Sequence, residues 1–86
     1  MSARTITVRY FASIREAVGQ GSERVATSAA TLGALRGELI ARGTPWDECL
    51  AEGRAVRMAV DQVMATADAA LADGAEVAFF PPVTGG

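Results

Sequence analysis

From Thr5 to Phe11 the chain alternates, with Ile6, Val8 and Tyr10 on one side and Thr5, Thr7, Arg9 and Phe11 on the other. This is the period of a half-buried strand. Ser13 stands three residues before Glu16 as in a capping box, Ile14, Ala17 and Val18 form an apolar side, and Gly19 is placed to end the turn. A short helix therefore follows the first strand. Gly19-Gln20-Gly21-Ser22 reads as a turn and Glu23 to Thr27 as a weak second strand around Val25, closing a hairpin with the first.

The main helix is expected from about Leu32 to Arg42, with Thr31 as its cap, Leu32, Leu35, Leu39 and Ile40 as the buried stripe, and Gly43 as its stop. Gly33 and Gly37 each cost about 1 kcal/mol relative to alanine inside a helix, so this helix depends on tertiary packing, and close approach to the sheet would account for both. Thr44-Pro45-Trp46-Asp47 reads as a further helix start, with proline at the first helical position and a helical turn running to about Glu52. Val56, Met58 and Val60 alternate with Arg57, Ala59 and Asp61, and Asp61-Gln62 turns the chain into a brief strand at Val63 to Ala65. The alanines from Ala67 to Leu71 favour one turn of helix. Asp73-Gly74 then turns into a last strand, Ala75 to Phe80, with Val77 and Phe79 on one face and Glu76, Ala78 and Phe80 on the other, stopped by Pro81-Pro82.

Strands packed on one long helix predict an α+β roll, with residues 1–80 as one domain and 81–86 as an extended tail. Leu32, Leu35, Leu39, Val60 and Val77 are expected core positions. At 86 residues, half of them apolar and with a formal charge of −2, the chain can close one core but holds no separate catalytic domain. No apolar run approaches the roughly 20 residues that cross a bilayer, and Met1-Ser2-Ala3-Arg4 lacks a secretory pattern, so no membrane association and a cytoplasmic location are expected. The arginines are scattered among ten acids, which argues against nucleic acid as a partner.

The chain has no histidine and no lysine, which removes the commonest general base and the Schiff-base amine. A self-sufficient enzyme is hard to build from the remainder. Cys49 is a lone cysteine beside Leu50, expected as a small buried hydrophobe rather than a sulfur carrier or metal ligand. Asp47, Glu48 and Glu52 share one short turn and are expected at the surface.

Two constellations remain. The end Pro81-Pro82-Val83-Thr84-Gly85-Gly86 follows a core strand directly. In an extended polyproline-like form, six residues reach roughly 20 Å at about 3.1–3.4 Å each, and the two final glycines let the backbone enter a narrow channel. The plainer reading is a frayed terminus. Phe11 and Phe80 both fall on the polar side of their strands. If those strands are neighbours the rings lie together near the base of the tail as a docking surface, which Met64 would extend; alternatively Trp46 or a loop covers them. Arg15 is a candidate partner-facing charge, or an ordinary solvated one.

Val8-Arg9-Tyr10-Phe11-Ala12-Ser13-Ile14-Arg15-Glu16-Ala17-Val18-Gly19 and the closing segment from Asp73 to Gly86, with its Phe79-Phe80-Pro81-Pro82-Val83-Thr84-Gly85-Gly86 end, resemble the opening and closing segments of the MoaD family, the small sulfur carrier subunits of molybdopterin synthase. The resemblance frames the chain, while the middle from Ser22 to Gly53 carries no distinctive motif. It implies the ubiquitin-like β-grasp fold, with first and last strands parallel and adjacent. It further implies that an ATP-using, MoeB-like activating enzyme adenylates the carboxylate of Gly86, which then becomes a thiocarboxylate. A MoaE-like large subunit would receive the tail, Pro81 to Gly86, and use its sulfur to build the molybdopterin dithiolene from cyclic pyranopterin monophosphate. No bound cofactor is implied, and the chain would be a non-catalytic sulfur donor. The alternatives are a sulfur carrier for thiamin thiazole synthesis, a protein modifier acting through Gly86, and a plain interaction module.

Overall fold

In a computed structural model, described here for residues 3–82, the chain forms five strands and three helices. In order these are β1 (Arg4–Tyr10), α1 (Ala12–Val18), β2 (Ser22–Thr27), α2 (Leu32–Ile40), α3 (Trp46–Cys49), β3 (Arg57–Val60), β4 (Val63–Ala65) and β5 (Glu76–Phe80). The strands make one mixed sheet in the order β2-β1-β5-β3-β4. β1 and β5 run parallel at its centre, with Val8 opposite Val77 and Tyr10 opposite Phe79; the other pairs are antiparallel. A central parallel pair with an antiparallel neighbour on each side, β2 beside β1 and β3 beside β5, and the long helix on one face is the β-grasp arrangement.

The alternation in β1 and β5 sets the register. Ile6, Val8, Tyr10, Val77 and Phe79 are almost completely buried and meet Leu32, Leu35 and Leu39 of α2 in one core. Val60 and Ile40 are only partly buried at its margin. Among the described residues, the opposite face of the sheet carries no helix. Its residues include Thr7, Arg9, Glu76, Ala78, Phe80, Arg57, Ala59 and Met64, with Ser22 and Arg24 on β2, as the pairing registers require.

Several local expectations are corrected. Ser13 is not the cap of α1: the helix starts at Ala12, Phe11 occupies the cap position without a side-chain bond, and Ala12 takes a positive φ of 52° as the chain swings off β1. Gly19 does end the helix, in the left-handed region, where only glycine is free of a Cβ penalty. Ala17 is exposed rather than buried. Thr31 does cap α2, its hydroxyl accepting the Ala34 N–H at 3.2 Å, but the helix closes at Ile40. Pro45 precedes α3 instead of opening it, and α3 ends at Cys49.

The largest difference is at Ala67 to Leu71, which forms no helix. This segment opens with a turn, in which the Ala69 N–H donates to the Thr66 carbonyl at 3.0 Å, and lies as a strap across the start of α2. The Ala69 carbonyl accepts the Leu32 N–H at 2.9 Å, the Ala67 carbonyl accepts the Gly33 N–H at 2.8 Å, and the Leu71 N–H donates to Ala30. A helix leaves its first N–H groups without internal partners, and the strap supplies carbonyls that one turn of alanine helix would have kept for itself. A side chain at Gly33 would stand 3.0 Å from the Ala67 Cβ and 3.1 Å from its carbonyl oxygen. The close approach is thus to the strap, not to the sheet, and Gly37 faces open space.

Candidate functional site at the open sheet face

β5 runs through the middle of the sheet and delivers Pro81-Pro82 at the end where β1 turns into α1. Phe11, the first residue after β1, and Phe80, the last of β5, lie side by side there. Their ring centroids are 6.3 Å apart and their planes cross at 88°, a favourable edge-to-face contact. Phe11 stays 41% exposed and Met64 55% exposed, high for side chains whose burial is worth roughly 1.5–3 kcal/mol each. With Ala59 and Ala78 they line one shallow apolar depression, edged by Arg9, Gln62 and Glu76. The Arg9 guanidinium stands 5.8 Å from the Phe11 ring centre and 3.4 Å from the Glu76 carboxylate.

Trp46 does not cover this face. Its indole N–H donates to the Tyr10 hydroxyl at 3.1 Å, which donates to Glu23 at 2.6 Å. Arg42 completes the group, 2.9 Å from Glu23 and 4.8 Å above the Trp46 ring. Burial, reinforced by the Glu23 carboxylate, pushes the Tyr10 phenol well above its ordinary range. These four side chains tie β1, β2, the end of α2 and α3 together on the covered side of the sheet.

Arg15 is exposed in the last turn of α1, with its guanidinium beside Gly21, and does not line the depression with Phe11, Met64 and Phe80. Cys49 is buried, and desolvation raises its thiol pKa, so the nucleophilic thiolate is disfavoured. It borders a small cleft that also takes Ile14, Arg54 and Pro81. Asp47, Glu48 and Glu52 are exposed, and no cluster of potential metal ligands occurs among the described residues. Pro81 and Pro82 are half-buried. Val83, Thr84, Gly85 and Gly86 lie outside the described residues. Among the described residues, no helix is long and apolar enough to cross a membrane.

Sequence reasoning missed one residue that shapes the surroundings of the tail root. Arg36 is only 7% exposed and donates to the carbonyls of Leu50 and Ala51 at 2.7 Å each, and more weakly to that of Arg54. It anchors the loop between α3 and β3, which borders the Pro81 cleft. Its place on the buried side of α2, next to Leu35, was the available signal.

The topology and the open apolar face beside the emerging chain end define a ubiquitin-like β-grasp protein. The chain belongs to the ThiS family, whose model matches residues 8–86. It is similar to the molybdopterin synthase sulfur carrier subunit of Escherichia coli (strain K12), at 44% identity over 94% of this chain and 99% of that one. Among solved structures it is similar to SAMP1 of Haloferax volcanii, a small archaeal modifier protein, with TM-score 0.77, 28% identity and coverage of 95% and 99% of the two chains. It is also similar to a chain from the complex of subunits 1 and 2 of molybdopterin-converting factor from Helicobacter pylori, with TM-score 0.62, 25% identity and coverage of 95% and 99%.

Proposed function

We propose that this chain is the sulfur carrier subunit of a molybdopterin synthase, with Gly86 as the residue that bears the sulfur. The observation that carries the reading is the 44% identity, over nearly the full length of both chains, to a molybdopterin synthase sulfur carrier subunit. The open apolar face at the root of the tail supports it, as the docking surface for a large subunit.

The chemistry needs little from the carrier itself. A carboxylate is a poor electrophile, because its charge repels nucleophiles and oxide is a poor leaving group. Attack of the Gly86 carboxylate on the α-phosphorus of ATP releases pyrophosphate and gives an acyl-adenylate. Hydrosulfide (HS⁻) supplied by the sulfur source then adds to the acyl carbon and expels AMP, leaving a thiocarboxylate. Within the large subunit that sulfur passes to the pterin precursor, and two loaded carriers complete one dithiolene. Acid and base groups come from the partners, so the absence of histidine and lysine in this chain is no handicap. Pro81 and Pro82 favour an extended start to the tail, and Gly85 and Gly86, having no side chains, suit entry into a partner's narrow channel.

Incubation with an ATP-dependent activating enzyme and a sulfur source, followed by mass analysis of the C-terminal peptide, tests the proposal. Sulfur replacing one oxygen on Gly86 is the expected result; an unmodified carboxylate, where a known carrier is converted, overturns it. A second reading, a protein modifier linked through Gly86, draws support from the likeness to the small archaeal modifier protein. Isopeptide adducts on other proteins in place of the thiocarboxylate would favour it.

A further inference from the structure

The proposed docking of a large subunit on the open sheet face leaves open what chemistry that subunit must present there. The apolar depression of Phe11, Ala59, Met64, Ala78 and Phe80 has a neighbour on its β4 side, lined by Val56, Arg57, Met58, Met64 and Ala65 among others. Met64 belongs to both. Arg57 sits directly across from Phe80 in the β3–β5 pairing, beside Met64, and is exposed. A partner that buries Phe80 and Met64 together therefore also covers Arg57. A standard interface of about 800 Å² per partner is broader than these few side chains, which places Arg57 within its footprint.

Covering a guanidinium without an anion is costly, since its charge loses water and gains nothing. The arginines of this face differ in how they are already satisfied. Arg9 has Glu76 and the Phe11 ring. Arg57 has no ion-pair partner among the described residues. Arg24 lies opposite Thr7 on β2, one strand beyond β1 and away from the depressions.

We propose that Arg57 is the specificity-determining charge of this face: the large subunit that fits it presents a carboxylate opposite Arg57, next to the apolar surface that receives Phe80 and Met64. This inference rests on the docking reading above. Arg57 then acts at two levels, forming a charge-assisted bond with the right partner and penalising a large subunit that lacks the anion.

The test is the affinity of the full-length chain for its cognate large subunit, measured by calorimetry for wild type, Arg57→Ala, Arg57→Glu, Arg24→Glu and Phe80→Ala. Circular dichroism checks each fold, and sulfur loading of Gly86 gives a readout independent of docking. Arg57→Ala is expected to weaken binding by about tenfold or more, and Arg57→Glu by more still, chiefly through faster dissociation. Arg24→Glu should stay within about threefold of wild type, the range expected of a charge outside the buried contact. If Arg57→Glu binds like wild type while Phe80→Ala does not, the face is right and the arginine proposal is overturned. If Phe80→Ala also binds normally, the docking reading falls and takes the arginine proposal with it.

Discussion

Phe11 and Phe80 touch edge to face, 6.3 Å between centroids, although 69 positions separate them in the chain. The parallel pairing of β1 with β5 creates the contact, because Tyr10 and Phe79 are register partners and the next residue on each strand emerges on the open face. Each ring is a candidate anchor for a partner. Phe80→Ala is expected to weaken binding to the large subunit by about 2 kcal/mol, roughly thirtyfold, without unfolding the chain. The double variant with Phe11→Ala should show a coupling of about 0.5–1.5 kcal/mol in a mutant cycle, since the pair acts as a unit. Unchanged affinity in calorimetry would remove this face from the interface.

The two glycines of α2 make opposite predictions. Gly33→Ala forces a Cβ against the Ala67 carbonyl oxygen at 3.1 Å; strap and helix must separate, at a cost of about 1–3 kcal/mol. Gly37→Ala meets open space and should stabilise the protein by about 0.5–1 kcal/mol through helix propensity. Urea titration of the two variants separates them by sign.

Arg36 holds three carbonyls of the α3–β3 loop from inside the domain. Arg36→Ala leaves buried acceptors without donors and is expected to cost about 2–4 kcal/mol. Arg36→Lys should recover only part of this, because one ammonium cannot reproduce the planar fork. Hydrogen exchange should show the loss first at residues 50–54.

Tyr10 provides a pH signature, being the only tyrosine in the chain. Its ordinary pKa is 10.0, and burial together with the Glu23 carboxylate raises it in the folded protein. Its contribution to stability is therefore complete below pH 10 and is lost as pH rises from there towards the folded value, as the unfolded chain ionises first. Tyrosinate absorbance should stay flat through pH 10 in the native protein and step near pH 10 in urea. A native step near 10 would show that Tyr10 is not buried against Glu23 in solution.

With no lysine in the sequence, an activated Gly86 finds no side-chain amine on another copy of the chain. Incubation with ATP and an activating enzyme, without a sulfur source, is expected to yield no isopeptide-linked dimers on a denaturing gel. A surface Arg24→Lys variant supplies the amine for comparison.

Much of the fold was legible because its strands carry period-two patterns strong enough to set their own inward faces. Ile6-Val8-Tyr10 and Val77-Phe79 announced the core, and Thr31, Gly19 and the Asp61-Gln62 turn marked boundaries that local chemistry controls. Ser13 misled because the capping-box spacing was present, while the swing at Ala12 had already started the helix. The alanines from Ala67 to Leu71 misled for a different reason: propensity favoured a helical turn, but α2 needed carbonyls for its first N–H groups, at Leu32 and Gly33, a demand from a distant segment that no local window contains.

By itself the sequence determined which residues face the core, where the last strand stops, and that two residues without side chains, Gly85 and Gly86, follow it closely, since these depend on side-chain period, proline and glycine chemistry near each position. Only the tertiary structure decided that Phe11, Phe80, Met64 and Arg57 share one surface, that Arg36 turns inward to hold a loop, and that Gly33 is required by the strap at Ala67 and not by the sheet. Those relationships arise from strand pairing and packing between distant segments, where contacts are set by the register of the whole sheet and leave no periodic trace in the chain.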